Sequence, residues 1–188
     1  NKFPKKENEK LFYGIFDFGG GTTDFSFGIC KYIGTTSSRY DYQITHFGEG
    51  GDKYLGGENI IKELAYKVFT ENSNSLLNRR IQYIRPENYD ELLGEETLVN
   101  NNSSIAKLNT RILGEILRKV WENTTTETKS TIEPPYFYDT HGEKRGMDGD
   151  KQLSLQISEE KLKDFIREKI DKGINNFFIK LEDAFKDE

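Results

Sequence analysis

The residues most able to do chemistry lie near the start of the chain, in the segment Asp17-Phe-Gly-Gly-Gly-Thr-Thr-Asp24. Its three consecutive glycines, Gly19, Gly20 and Gly21, carry no side chains that would keep a ligand away from the backbone. They also allow positive φ, so that successive backbone N–H groups can converge on phosphate oxygens. The segment therefore predicts a phosphate-binding turn.

The polar side chains of the same segment suit a phosphate and its metal ion. Thr22 or Thr23 can donate to a phosphate oxygen or orient a water molecule. Asp17 can hold Mg²⁺ directly or through its waters, and Asp24 can orient the loop or an attacking water. The alternative is a plain hairpin that uses glycine in its turn. The turn is neither a Walker loop, since no Gly-Lys-Ser/Thr follows, nor a dinucleotide fingerprint, since a strand follows where a helix is required.

Strands must position this turn. Residues 11–18 form an apolar run, which we expect to be a strand buried on both faces. Alternating apolar residues predict two further strands over 23–33 and 40–46, and short turns between the three favour an antiparallel meander. Residues 47–52 are rich in glycine and predict a loop. Cys30 falls in the second strand and is expected to be a core thiol.

Helices and short strands follow. Apolar stripes at helical spacing predict helices over 60–69 and 105–121 and a long final helix after Ser158, which is a typical N-cap residue. Short strands are predicted in the Thr-rich stretch up to Ile132, at 136–138 and at 153–157. The fold class is therefore α/β or α+β with a mixed sheet.

Composition excludes several functional classes. The net charge is −5 over 188 residues, which argues against the basic surface of a nucleic-acid-binding module. No window reaches the roughly 18 apolar residues of a membrane span. A single cysteine excludes an internal disulfide, and the two histidines, His46 and His141, lack the spacing of zinc ligands.

Two motifs together resemble a known family. The segment Asp17–Asp24 is similar to the second phosphate motif of the 70-kDa heat-shock chaperones, which belong to the actin-like ATPase superfamily. Gly51-Asp-Lys-Tyr-Leu-Gly-Gly-Glu-Asn59 resembles the family's Gly-Asp-x-x-Leu-Gly-Gly-Glu-Asp segment, which starts the next helix. The order of the two motifs and the meander between them also match.

The resemblance implies a fold and a domain organisation. The chain would be the larger part of the second lobe of an actin-like (ribonuclease H-like) nucleotide-binding domain, cut from a longer protein that supplies the first lobe. Residues 11–55 would form the base sheet of the lobe, completed in part by 171–188. Residues 56–170 would form a smaller outer α+β subdomain, and residues 1–10 a flexible arm.

The resemblance also implies roles for individual residues. In the first motif, Asp17 would lie near the metal, Gly19, Gly20 and Gly21 at the β and γ phosphates, Thr22 near the γ-phosphate and Asp24 beside the catalytic water. In the second, Gly56, Gly57 and Glu58 would line the cleft floor.

The family's Glu-x-x-Lys-Arg pattern, which grips adenine and ribose, is matched best by Glu115, Arg118 and Lys119. Glu122 stands where the family has a hydroxyl residue, so this match is partial. A surface charge pattern on an amphipathic helix is the alternative interpretation.

The function implied is that of a cytoplasmic chaperone which binds ATP or ADP with Mg²⁺ and hydrolyses ATP. Its partners would be the first lobe, a peptide-binding domain and a co-chaperone or exchange factor, with neither nucleic acid nor membrane. The chain by itself is expected to bind ATP weakly or not at all and to show no turnover. Two alternatives are a divergent actin-like assembly scaffold with little catalysis, and a sugar- or acid-kinase relative.

Overall fold

The computed structural model describes residues 3–6, 9–34, 40–122, 130–146 and 152–186. The chain is mixed α/β, with small antiparallel sheets and helices, and it divides into two compact units, Asn1–Gly57 with Lys169–Glu188, and Glu58–Glu168. The described elements are, in order, β1 (Lys10–Phe18), β2 (Thr23–Tyr32), β3 (Tyr42–Asp52), α1 (Gly57–Glu71), α2 (Ser73–Leu77), α3 (Ser104–Trp121), β4 (Thr131–Ile132), β5 (Phe137–Tyr138), β6 (Lys144–Arg145), β7 (Leu155–Gln156) and α4 (Glu159–Lys186).

The first unit is built on the sheet β1-β2-β3, whose neighbours are all antiparallel. The predicted meander is therefore confirmed. The strand register places Phe18 opposite Thr23, so the chain reverses direction over Gly19–Thr22. Cys30 is buried and unoxidised, as expected of a core thiol.

Helix α4 packs its C-terminal half on one face of this sheet. The core consists of Phe25 and Phe27 from β2 with Ala184 from α4, and Phe177 packs against both phenylalanines with ring centroids 5.5 and 5.1 Å apart. The expectation that β1 is buried on both faces is wrong. Ile15 of β1 is 51% exposed, and Phe12, which lies on the side of the sheet that faces α4, is 54% exposed.

Strand β3 extends beyond its predicted end. It runs to Asp52, whereas the sequence predicted a strand that stops at residue 46 and a loop over 47–52. The glycines mistaken for loop residues make room for the helix. A β-carbon at Gly48 would lie 2.5 Å from the β-carbon of Ala184, and one at Gly50 would lie 3.0 Å from Cγ of Lys180.

The second unit contains two predicted helices, α1 and α3, and both are confirmed with small changes in their bounds. A β-carbon at Gly114 of α3 would lie 3.0 Å from Cγ2 of Ile61 of α1, so the two helices pass close to each other there. A short helix, α2, follows α1 in an Asn/Ser-rich stretch beyond the predicted end of the helix at residue 69.

The remaining strands of this unit are short. Pairs β4–β7 and β5–β6 are two residues long in each strand. Most of the Thr-rich stretch predicted as a strand lies outside the described residues. Helix α4 begins at Glu159, and the Lys161 N–H donates to Oγ of Ser158 at 3.4 Å, which confirms the predicted cap. Among the described helices, none has the length and apolar content needed to cross a bilayer.

Candidate functional site

The triple-glycine turn between β1 and β2 is closed by one backbone bond, from the Gly19 N–H to the Thr22 carbonyl, at 2.8 Å. Gly20 and Gly21 are exposed, and a β-carbon at Gly21 would meet no atom within 4 Å. The expectation of positive φ is wrong for Gly19 and Gly21. Among the described glycines, the left-handed region is occupied elsewhere, at Gly34, Gly94, Gly142 and Gly146.

The second motif packs against the turn, and the position where this contact requires glycine is Gly56. A β-carbon at Gly56 would lie 2.5 Å from both the carbonyl oxygen of Gly20 and the carbonyl carbon of Gly21. The Gly57 N–H donates to the Gly19 carbonyl at 3.1 Å. Gly56 is therefore buried and supports the turn from behind.

Thr23 completes this junction. Its side chain is fully buried, and its hydroxyl donates to the Leu55 carbonyl. The Leu55 side chain in turn fills the space beside Gly173 of α4, where a β-carbon would overlap it. Of the two threonines considered for phosphate contact, Thr23 is thus structural, and Thr22 is the exposed one.

The three residues predicted to be catalytic lie together. Asp17 and Asp24 are directly opposite each other across β1 and β2, and Thr22 Oγ1 donates to Asp24 Oδ2 at 3.2 Å. All three are exposed. Like charges at directly opposite strand positions are destabilising, so the pair lowers the stability of the sheet. A cation between or beside the carboxylates would remove that cost.

The carboxylate pair fits magnesium better than a metal that needs a full protein cage. Within the described ranges, no group of three or more His, Cys, Asp or Glu side chains converges on one point. Mg²⁺ keeps several waters and is usually held by one or two carboxylates together with substrate phosphates. Asp17 and Asp24 could supply that number.

The second unit holds a groove of about 570 Å³ between α1 and α3. Arg118 lies on its wall, where Nη2 donates to both carboxylate oxygens of Glu58 at 2.9 and 3.2 Å, and Nε donates to Glu115 at 3.4 Å. The bonds to Glu58 and Glu115 raise the pKa of the Arg118 guanidinium. Glu58, Glu115 and Arg118, which the resemblance assigns to the nucleotide site, therefore lie in contact with one another. Lys119, the fourth, is exposed on α3 and does not line the groove.

Other residues of this groove were not predicted from the sequence. Ile61, Ile84 and Gly114 line it with apolar surface, and three cations complete the lining, Lys62, Lys107 and Arg111. The sequence pattern does predict one wall of the groove, because positions 107, 111, 115 and 118 follow one another at helical spacing and lie on one face of α3. The contributions of α1 and of Ile84 required the tertiary structure.

The chain matches no protein-family model, and no curated protein sequence matches it. Its chemistry must therefore be inferred from its own residues. The first unit offers an exposed glycine turn beside two carboxylates and a hydroxyl. The second offers a groove with an apolar floor and charged walls, of a size ordinary for a small-molecule site.

Proposed function

We propose that the chain is the larger part of the second lobe of an actin-like nucleotide-binding domain of the 70-kDa heat-shock chaperone type. The observation that carries the proposal is the backbone contact of Gly56 with Gly20 and Gly21. A plain hairpin turn needs no second glycine motif packed behind it. A turn that must hold its amides and carboxylates still around a phosphate gains from such support.

In this proposal the phosphates of ATP or ADP lie at the exposed turn. The triple-glycine turn meets the phosphate oxygens, and the Gly19 and Gly57 amides keep the turn in shape through their own hydrogen bonds. Asp17 holds the magnesium ion, which when bound offsets negative charge on the phosphate oxygens. The Thr22 hydroxyl and Asp24 orient the water that attacks the γ-phosphate.

Considered by itself, the α1–α3 groove of the second unit is proposed to bind adenosine. The Glu115 carboxylate accepts hydrogen bonds from ribose hydroxyls, and the planar Arg118 guanidinium offers a face on which a base can stack. Glu58 fixes that guanidinium through two hydrogen bonds and acts as a positioning residue. Lys119 takes no part, which departs from the pattern implied by the resemblance.

The cellular role follows from the same resemblance and is proposed with it. In an intact, cytoplasmic chaperone, the nucleotide state would set the relation of the two lobes and so control a peptide-binding domain. A co-chaperone or exchange factor would act on that cycle. The chain alone would bind ATP weakly and would not hydrolyse it, because phosphates held from one side lack half of their donors. Turnover by the chain alone at a rate typical of an intact enzyme would contradict this.

A titration of the intact parent with a fluorescent ATP analogue and Mg²⁺ tests the proposal. Asp17→Asn and Thr22→Ala should each weaken binding, Asp17→Asn by about 10-fold or more, which is the value of a charge-assisted contact. Asp171→Asn, an exposed carboxylate on α4, serves as the matched control and should bind normally. Equal affinity of all three variants would overturn the assignment of the turn.

Two observations favour a second candidate, an actin-like assembly scaffold with little catalysis. Arg118 is already neutralised by Glu58 and Glu115, and Glu122 replaces the family's hydroxyl residue. Both features weaken the case for a retained adenosine contact. An unmutated parent that fails to bind the analogue, yet assembles, would favour the scaffold.

A further inference from the structure

Three cations of the α1–α3 groove lie outside the ion pairs that Glu58 and Glu115 form with Arg118. Lys62, Lys107 and Arg111 line the groove and are exposed. Among the residues that the structure describes, no Asp or Glu oxygen forms an ion pair with any of the three. The floor beneath them is apolar, with Ile61 and Ile84. A ligand suited to this groove carries apolar side chains flanked by negative charge.

The same unit presents a segment of that composition on its surface. Residues 90–96 read Asp-Glu-Leu-Leu-Gly-Glu-Glu. Leu93 is fully exposed at 101% and Leu92 is 51% exposed. Asp90, Glu91 and Glu96 are also exposed. We call residues 90–96 the dileucine tip. Two adjacent exposed leucines gain free energy when a partner surface covers them.

Hydrogen bonds to the buried carboxylate of Glu95 hold the dileucine tip in shape. Glu95 is buried and accepts hydrogen bonds from the Tyr66 hydroxyl at 2.5 Å and from the Leu92 N–H at 3.2 Å. Arg85 Nη1 lies 3.5 Å from the same carboxylate. Gly94 turns the chain with φ +90, a conformation that favours glycine. A tip that is already ordered loses little conformational entropy when it binds.

We propose that the dileucine tip of one copy of the chain docks into the α1–α3 groove of a second copy. The two leucines cover Ile61 and Ile84, and the acidic flank of the tip faces Lys107 and Arg111. The exposure of Leu93 means that the tip does not occupy its own groove. Where one tip enters one groove, the contact is heterologous, and each copy keeps one free tip or groove for a further copy. This inference does not depend on nucleotide binding, and a docked tip and adenosine would exclude each other from the groove.

Sedimentation equilibrium of the chain without nucleotide tests the proposal. The unmutated chain should associate increasingly with concentration up to about 1 mM, the range expected of a small interface. Leu93→Asp should be monomeric, and so should Lys107→Glu combined with Arg111→Glu. Leu77→Asp, at another exposed leucine, and Lys161→Glu, at an exposed lysine on α4, are the matched controls and should associate normally.

The decisive experiment mixes Leu93→Asp with the variant that carries both Lys107→Glu and Arg111→Glu. Each retains one intact surface, the groove in Leu93→Asp and the tip in the charge-reversed variant. The mixture should therefore form a one-to-one dimer and nothing larger, which also shows that both variants are folded. A chain that stays monomeric throughout, an association that survives both changes, or a mixture that does not pair would each overturn the proposal.

Discussion

Gly56 lies so close to the peptide between Gly20 and Gly21 that a β-carbon at position 56 would come within 2.5 Å of the Gly20 carbonyl oxygen. Two segments separated by about thirty-five residues of chain thus form one backbone junction. Neither side can yield easily, because the atoms in contact belong to the main chain. The phosphate-binding assignment depends on this junction, since it fixes the shape of the turn.

Gly56→Ala should therefore destabilise the first unit by about 1–3 kcal/mol, as overpacking does in a tight interior. Gly21→Ala is the matched control, because a β-carbon there meets nothing within 4 Å and the backbone is not left-handed. Its stability should be unchanged or slightly raised. Urea unfolding of the three proteins measures the difference. Equal loss in both variants would mean that Gly56 has no special contact.

Asp17→Asn separates stability from function. Removing one of two directly opposed carboxylates should raise the free energy of unfolding by roughly 0.2–1 kcal/mol, because the cross-strand repulsion from Asp24 disappears. The same variant should lose Mg²⁺-dependent nucleotide binding in the intact parent. Urea unfolding without divalent ions gives the first quantity. A clear loss of stability would show that Asp17 is structural.

Local sequence patterns predicted part of the fold in each unit. Alternation in β2 and the apolar stripes of α1 and α3 depend on local periodicity, so the sequence predicted them. Gly48 and Gly50 were misread as a loop because a glycine that makes room for a distant helix looks the same in sequence as one that makes a turn. The contact of Glu58 with Arg118 joins residues sixty positions apart, and local patterns do not reveal such pairs.

Asp139 makes the second unit sensitive to acid. Burial opposes ionisation of its carboxyl, but bonds from the Arg145 guanidinium and from the Glu143 and His141 N–H groups outweigh this and hold its pKa below the ordinary value. A depressed pKa stabilises the fold above the unfolded value near pH 4, and that contribution is lost as the pH falls further. The second unit should therefore lose stability below about pH 4.

The measurement is urea unfolding of Asp139→Asn between pH 7 and pH 3. At pH 7 the variant should be less stable by on the order of 2 kcal/mol, and the difference should shrink towards pH 3. Asp164→Asn, whose exposed carboxylate pairs with Arg167, should differ by well under about 0.5 kcal/mol at every pH. A difference for Asp139→Asn that does not vary with pH would refute the ionic role.

Removing the hydroxyl group from each of two tyrosines of the second unit should change the stability of the protein in opposite directions. Tyr83 is fully buried, and its hydroxyl has no hydrogen-bond partner among the described residues. Tyr83→Phe should therefore stabilise the protein by about 1 kcal/mol. Tyr89 donates to buried Glu63 at 3.0 Å, so Tyr89→Phe should destabilise it by about 1–3 kcal/mol. Thermal unfolding distinguishes them, and a loss in both would indicate an overlooked partner for Tyr83.

An NMR titration of the ¹⁵N-labelled chain with Mg²⁺ and inorganic triphosphate shows whether the glycine turn contacts phosphate. The amide shifts should concentrate at residues 17–24, saturate with a Kd on the order of millimolar, and vanish in Asp17→Asn. Shifts that are absent from these amides, or that persist unchanged in Asp17→Asn, would contradict that contact.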